Sequence, residues 1–236
     1  MKKIILLVFF SSSLFSQISS KKIENWISKN NELDGSVVSI AVKRIDKDKK
    51  IVGSGIDINM TPASNVKILT VLGSIYYGDS IPIINYIAYR DTLKISPTGY
   101  PLLSHPKYRD KDLEKFLKKF KYIEYHIPKI DLDKYGPGWA WDDYNNYYQA
   151  ERSEMPIYGN VIQAVKKSNG DIEITPDKYK IVFDFEQKKL IDRSEIENNF
   201  SLNPSLFQPG DTIYSPFITS RKNTISLLEN ALGIKV

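Results

Sequence analysis

The chain has 236 residues, 42% of them apolar, which is enough to bury a core in one large domain or two small ones and excludes a disordered chain. Its 33 basic and 28 acidic residues are interspersed and give a formal charge of +5, so no basic block favours nucleic acid as a partner. Cysteine is absent, which excludes disulfides, thiolate nucleophiles and thiolate metal sites.

At the N-terminus, Lys2 and Lys3 precede an apolar run over 4–10, and Leu14-Phe15-Ser16 offers a cleavage site before Gln17. This is the form of a secretory signal, so residues 1–16 are read as removed on export, leaving a mature charge of 5 − 2 = +3. The apolar run is too short to span a bilayer, and no later stretch is suited to a transmembrane helix.

Ile23, Trp26 and Ile27 recur at helical spacing and predict a short amphipathic helix over 21–30. Residues 37–42 and 51–58 alternate on either side of a polar linker at 46–50, which predicts a β-hairpin. Thr61-Pro62 then opens a helix whose Val66, Ile68, Leu69, Val71, Leu72 and Ile75 cover more than one face, and such a helix is expected to be buried. After Gly78 the texture changes, and a domain boundary is expected there. Short strands are predicted at 81–89 and 92–95, a charged surface helix at 110–120, and further strands at 160–166, 172–175, 179–185 and 212–214. A last helix over 220–232 carries Leu227, Leu228, Ala231 and Leu232 on one stripe.

Ser64-Asn65-Val66-Lys67 stands at the head of the apolar helix. Residues three apart lie on one helical face, so the Lys67 amine can reach the Ser64 hydroxyl and take its proton, provided burial holds the amine neutral. The spacing alone is weak: Ser19 to Lys22 and Ser104 to Lys107 share it, the first in a polar stretch and the second interrupted by proline. Beside the catalytic reading stands a helix-capping serine with a lysine reaching to the surface. His105 and His126 lie by prolines, fit no metal-ligand pattern and read as loop residues, while Gly136-Pro137-Gly138 reads as a turn. Next comes Trp139-Ala140-Trp141-Asp142-Asp143-Tyr144-Asn145-Asn146-Tyr147-Tyr148. Its rings and carboxylates suit either a binding wall for an amine-bearing ligand or an aromatic minicore under a turn.

Together, the segment 60–70 around Ser64 and Lys67 and this Gly-Trp-Xaa-Trp-Asp-Asp-Tyr stretch resemble the penicillin-binding-protein-4 family of D-alanyl-D-alanine carboxypeptidases and endopeptidases, peptidase family S13. Residues 99–103 and 156–160 resemble its short form. The resemblance implies an α/β (α+β) fold: an incomplete transpeptidase or β-lactamase-like domain with a largely β domain inserted after the nucleophile helix. Residues 17–78 would begin the first domain, 79–215 form the insert, and 216–236 return to the first domain. It further implies a periplasmic hydrolase of peptidoglycan stem peptides, acylated at Ser64 with Lys67 as base, trapped by β-lactams and needing no cofactor or metal. Asp143 and Tyr148 would recognise the amine of the stem peptide. Two more active-site triplets, Ser-Xaa-Asn and Lys-Thr/Ser-Gly, are implied downstream. Ser28-Lys29-Asn30 lies upstream of the nucleophile, and no lysine precedes Thr/Ser-Gly. The expectation is therefore a fragment, a truncated product or half of a split protein whose other part is a separate chain. A catalytically silent peptidoglycan-binding module and an unproductive remnant are the rival expectations.

Overall fold

The computed structural model describes residues 18–45, 50–78, 80–127 and 131–236. The segment read as a secretory signal lies outside them, as does most of the linker of the expected hairpin. The architecture is mixed α/β, divided into two compact units, Met1–Asp79 and Ser80–Val236. Among the described residues, no helix is long and apolar enough to cross a membrane.

In the first unit, α1 (Ser20–Ser28) is capped by Ser19, whose hydroxyl accepts the Lys22 N–H. The expected hairpin forms as β1 (Ile40–Val42) against β2 (Val52–Ser54), antiparallel. Ser20 Oγ accepts the Gly53 N–H at 3.0 Å and ties α1 to β2, and only glycine fits at 53, because a Cβ there would collide with the Ile40 carbonyl oxygen. The apolar helix is α2 (Val66–Tyr77). Its expected burial is corrected: Val66, Ile68, Leu69, Val71, Leu72 and Ile75 are 47–70% exposed. Two strands of three residues offer too little surface to cover a helix that is apolar on more than one side. Ile23 alone supplies this unit's buried apolar side chain among the described residues.

The second unit opens with β3 (Ile84–Tyr89) and β4 (Thr92–Pro97), joined at Arg90, which takes a left-handed φ of 54°. Along β4, Leu93 and Ile95 are fully buried while Lys94 faces out, the alternation of a strand with one covered face. α3 (Lys111–Leu117), capped by Asp110, carries the chain over so that β5 (Tyr122–Tyr125) pairs parallel with β4. Then follow β6 (Val161–Lys166), β7 (Ile172–Thr175), β8 (Ile181–Phe183), β9 (Ile191–Arg193), β10 (Phe200–Leu202), β11 (Thr212–Pro216) and α4 (Arg221–Leu232). They complete two further three-stranded sheets, ordered β11-β6-β7 and β8-β10-β9. Ser220 caps α4 and Gly233 ends it with φ 69°. The core gathers Leu93, Ile95, Leu117, Ile162 and Phe217 with Leu227 and Leu228 of α4, so the last helix packs within this unit.

Candidate functional site

Ser64 lies in the single 3-10 turn Ala63–Asn65 that leads into α2. Lys67 follows one turn on, and its Nζ donates to Ser64 Oγ at 3.3 Å. The capping alternative does not describe this serine: neither the turn nor α2 has a side-chain cap bond. Immediately before it, Ala63 holds a left-handed φ of 43°, a strained state for a residue with a Cβ and one that recurs at functional turns. The environment departs from expectation, however. Both residues are exposed, so among the described residues no neighbour supplies the desolvation that a neutral Lys67 amine requires.

In the second unit, the aromatic stretch forms two short 3-10 turns, Trp141–Asn145 and Tyr147–Gln149. The tight turn brings Asp143 and Tyr148 together: the Tyr148 hydroxyl donates to Asp143 Oδ1 at 2.9 Å, and Asn146 Nδ2 donates to the same oxygen at 2.8 Å. That bond to a carboxylate pushes the Tyr148 pKa above its ordinary value. Trp141, Tyr147 and Tyr148 are 60–74% exposed, so the rings line a surface instead of filling a minicore. Tyr144 is the inward exception. Its hydroxyl donates to the Arg193 carbonyl at 3.2 Å, and the Arg193 guanidinium lies 5.0 Å from its ring. Arg193 is buried, with Nε and Nη1 unbonded, and burial lowers its pKa. Gln149, also buried, donates to the Ala140 carbonyl and closes the base of the turn.

Of the residues read as structural, Gly136 to Gly138 do form a turn. His105 lies in a turn as well, but it lines a cavity of about 920 Å³ together with residues of β9 and β11. One part of its lining, Asp142, Asn145, Asn146 and Tyr147, belongs to the aromatic stretch singled out in the sequence; no sequence signal marks the rest, because the walls are up to 109 positions apart (214 − 105) and converge only through the fold. The expectation that no Ser-Xaa-Asn triplet follows Ser64 is corrected, since one stands at Ser201-Leu202-Asn203. It serves structure in β10 and the residue after it: Ser201 Oγ donates to Gln187 Oε1, and buried Asn203 donates to the carbonyls of Phe185 and Gln187. Among the described residues, no group of three or more His, Asp or Glu stands together to hold a metal ion.

The described arrangement is thus a mixed α/β chain carrying a bonded Ser-Lys pair in one unit and a bonded Asp-Tyr pair in the other. Among solved structures, penicillin binding protein 4 from Haemophilus influenzae is similar, at 16% identity and a TM-score of 0.49, over 75% of this chain and 47% of that one. The chain therefore spans about half the length of that protein. No protein-family model and no curated protein matches.

Proposed function

We propose that this chain is a serine-type D-Ala-D-Ala carboxypeptidase or endopeptidase of the periplasm, acting on peptidoglycan stem peptides and reactive toward β-lactams. The observation that carries the reading is the 3.3 Å bond from Lys67 Nζ to Ser64 Oγ, made where a strained turn enters a helix. In the acylation step Lys67 takes the Ser64 hydroxyl proton, Oγ bonds to the D-Ala-D-Ala carbonyl carbon, and the C–N bond breaks as the leaving amine is protonated. Water then hydrolyses the ester. With a penicillin the broken bond is the ring amide, so the leaving amine stays tethered and the acyl-enzyme persists. Because Lys67 is exposed, the bound substrate has to exclude water from the pair. Labelling with a fluorescent penicillin tests this: wild type is marked, Ser64→Ala is not, and Lys67→Ala reacts about 10²–10⁴-fold more slowly. Equal labelling of wild type and Ser64→Ala removes the mechanism.

The exposure of Lys67 favours one second reading, a peptidoglycan-binding chain without turnover that uses the Asp143–Tyr148 pair to hold an amine. It expects muropeptide binding that weakens in Asp143→Ala, with no acylation. Burst kinetics dependent on Ser64 would rule it out.

A further inference from the structure

The cavity beside His105 lies between two sheet edges. Among the described residues β11 pairs only with β6, and β9 only with β10, so each is the last strand of its sheet. Lys189 to Ile191 form one wall and Thr212 to Tyr214 the other. Side chains alternate along a strand, so three consecutive residues of β11 line one cavity only if the strand's edge looks into it. The ladder fixes which groups that edge presents. Lys166 N–H donates to the Asp211 carbonyl and Phe217 N–H to the Asn160 carbonyl, so Ile213 and Ser215 bond toward β6. Thr212 and Tyr214 then turn their backbone N–H and C=O groups away from β6. The β9 edge is already occupied: Asn145 Nδ2 donates to the Ile191 carbonyl and the Tyr144 hydroxyl to that of Arg193. Among the described residues, the open edge is that of β11 at Thr212 and Tyr214; one residue on, the Ser215 hydroxyl donates to Asn145 Oδ1.

The side chains around it carry more positive than negative charge, Lys107 and Lys189 against Asp142. His105 Nδ1 accepts the N–H groups of Lys107 and Tyr108, both at 3.1 Å, which places the ring proton on Nε2. Among the described residues that Nε2 has no hydrogen-bond partner, and it stays uncovered because residue 159 is glycine: a Cβ there would come within 3.2 Å of it. Lys107 pairs with no carboxylate among the described residues, lying 5.2 Å over the Tyr108 ring. Asp142 is the single carboxylate of the wall, while Lys189 is matched by Asp192.

We infer that this cavity docks an extended peptide segment bearing an acidic side chain, which adds as a strand to the free edge of β11. Backbone pairing with Thr212 and Tyr214 supplies the affinity, and Lys107 with the His105 Nε2–H selects the carboxylate. The site goes beyond the peptidase reading and does not rest on it. Its test titrates the full chain with two acetylated hexapeptides of alternating Thr and Val, one with a central Glu and one with Lys, and with N-acetylchitotetraose. The Glu peptide is expected to bind about tenfold more tightly than the Lys peptide and to slow hydrogen exchange at Thr212 and Tyr214. Thr212→Pro removes an outward N–H from the first residue of the strand and no ladder bond, so it weakens binding about tenfold at an unchanged thermal midpoint. Lys107→Glu, an exposed position, reverses the peptide preference whether or not the proline variant folds. Equal binding of both peptides, no effect of either substitution, or uptake of the saccharide in place of the peptide overturns the inference. None of these readouts passes through Ser64, so the outcome here is independent of penicillin labelling.

Discussion

An imidazole that accepts two backbone N–H groups through one nitrogen loses both if that nitrogen is protonated. His105 is such a ring, and burial holds its pKa below the ordinary 6.5. The fold therefore binds the neutral form better than the unfolded chain does. The stability this contributes is complete above the unfolded pKa and is lost as pH falls through the depressed folded value. The same sign applies to Asp110, held below 3.8 by the Leu113 and Asp112 backbone donors and by Tyr100, and to Glu114, where burial pushes upward but the bonds from Arg109 and Ser104 outweigh it and hold it below 4.5, so their loss comes at lower pH. The thermal midpoint is thus expected to be level near neutrality and to begin falling below about pH 6.5. In His105→Asn, which keeps an acceptor but no titratable ring, the first part of that decline should vanish. An identical acid profile in the variant would show that the ring titrates freely. At this scale the sequence was informative about partners but not about surroundings. Three-residue spacing brings Lys67 to Ser64, yet nothing local in Ser-Asn-Val-Lys tells whether the amine is covered, and here it is exposed.

Among the elements, α3 concentrates its energetics on one buried carboxylate. Glu114 is 5% exposed and accepts Arg109 Nε and Nη2, each at 2.6 Å, and Ser104 Oγ at 2.8 Å. Removing one partner of such a pair leaves the other charge buried and uncompensated, at about 3–5 kcal/mol in full burial. Since the Arg109 side chain is half exposed, Arg109→Ala is expected to cost less, about 2 kcal/mol in urea unfolding. Adding Glu114→Gln should recover part of it, and a strictly additive double variant would mean that the two groups do not interact. The elements themselves were readable where a period had room to repeat: β4 shows it in Leu93 and Ile95, α4 in Leu227, Leu228 and Leu232. β9 and β10, three residues each, are too short to display one. The pairing of β4 with β5 across α3 and of β8 with β10 joins distant segments, and strand patterns carry no information about which distant strand is the neighbour. For α2 the pattern misled, because periodicity reports that a face is apolar and not that a partner covers it.

On the scale of the whole chain, the two units differ in what holds them. The second has a continuous core in which Leu93, Ile95, Leu117 and Leu228 are fully enclosed, whereas the first buries only Ile23 among its described apolar side chains. Apolar stabilisation follows the area removed from water, at about 25 cal/mol per Å², so the first unit gains little of it and α2 gains least. Ser64 and Lys67 thus sit at the head of the least supported helix among the described residues, where local opening is easiest. Paired truncations read this difference directly. Leu93→Ala empties a filled site and is expected to cost about 3 kcal/mol, while Leu69→Ala, at a residue 70% exposed, should stay within about 0.5 kcal/mol. Hydrogen exchange should follow the same order, with the β4 amides exchanging only on global unfolding and the α2 amides much sooner. If Leu69→Ala destabilised the chain as much as Leu93→Ala, α2 would have to be covered in solution, and Lys67 would regain the water-poor setting that proton abstraction from Ser64 requires.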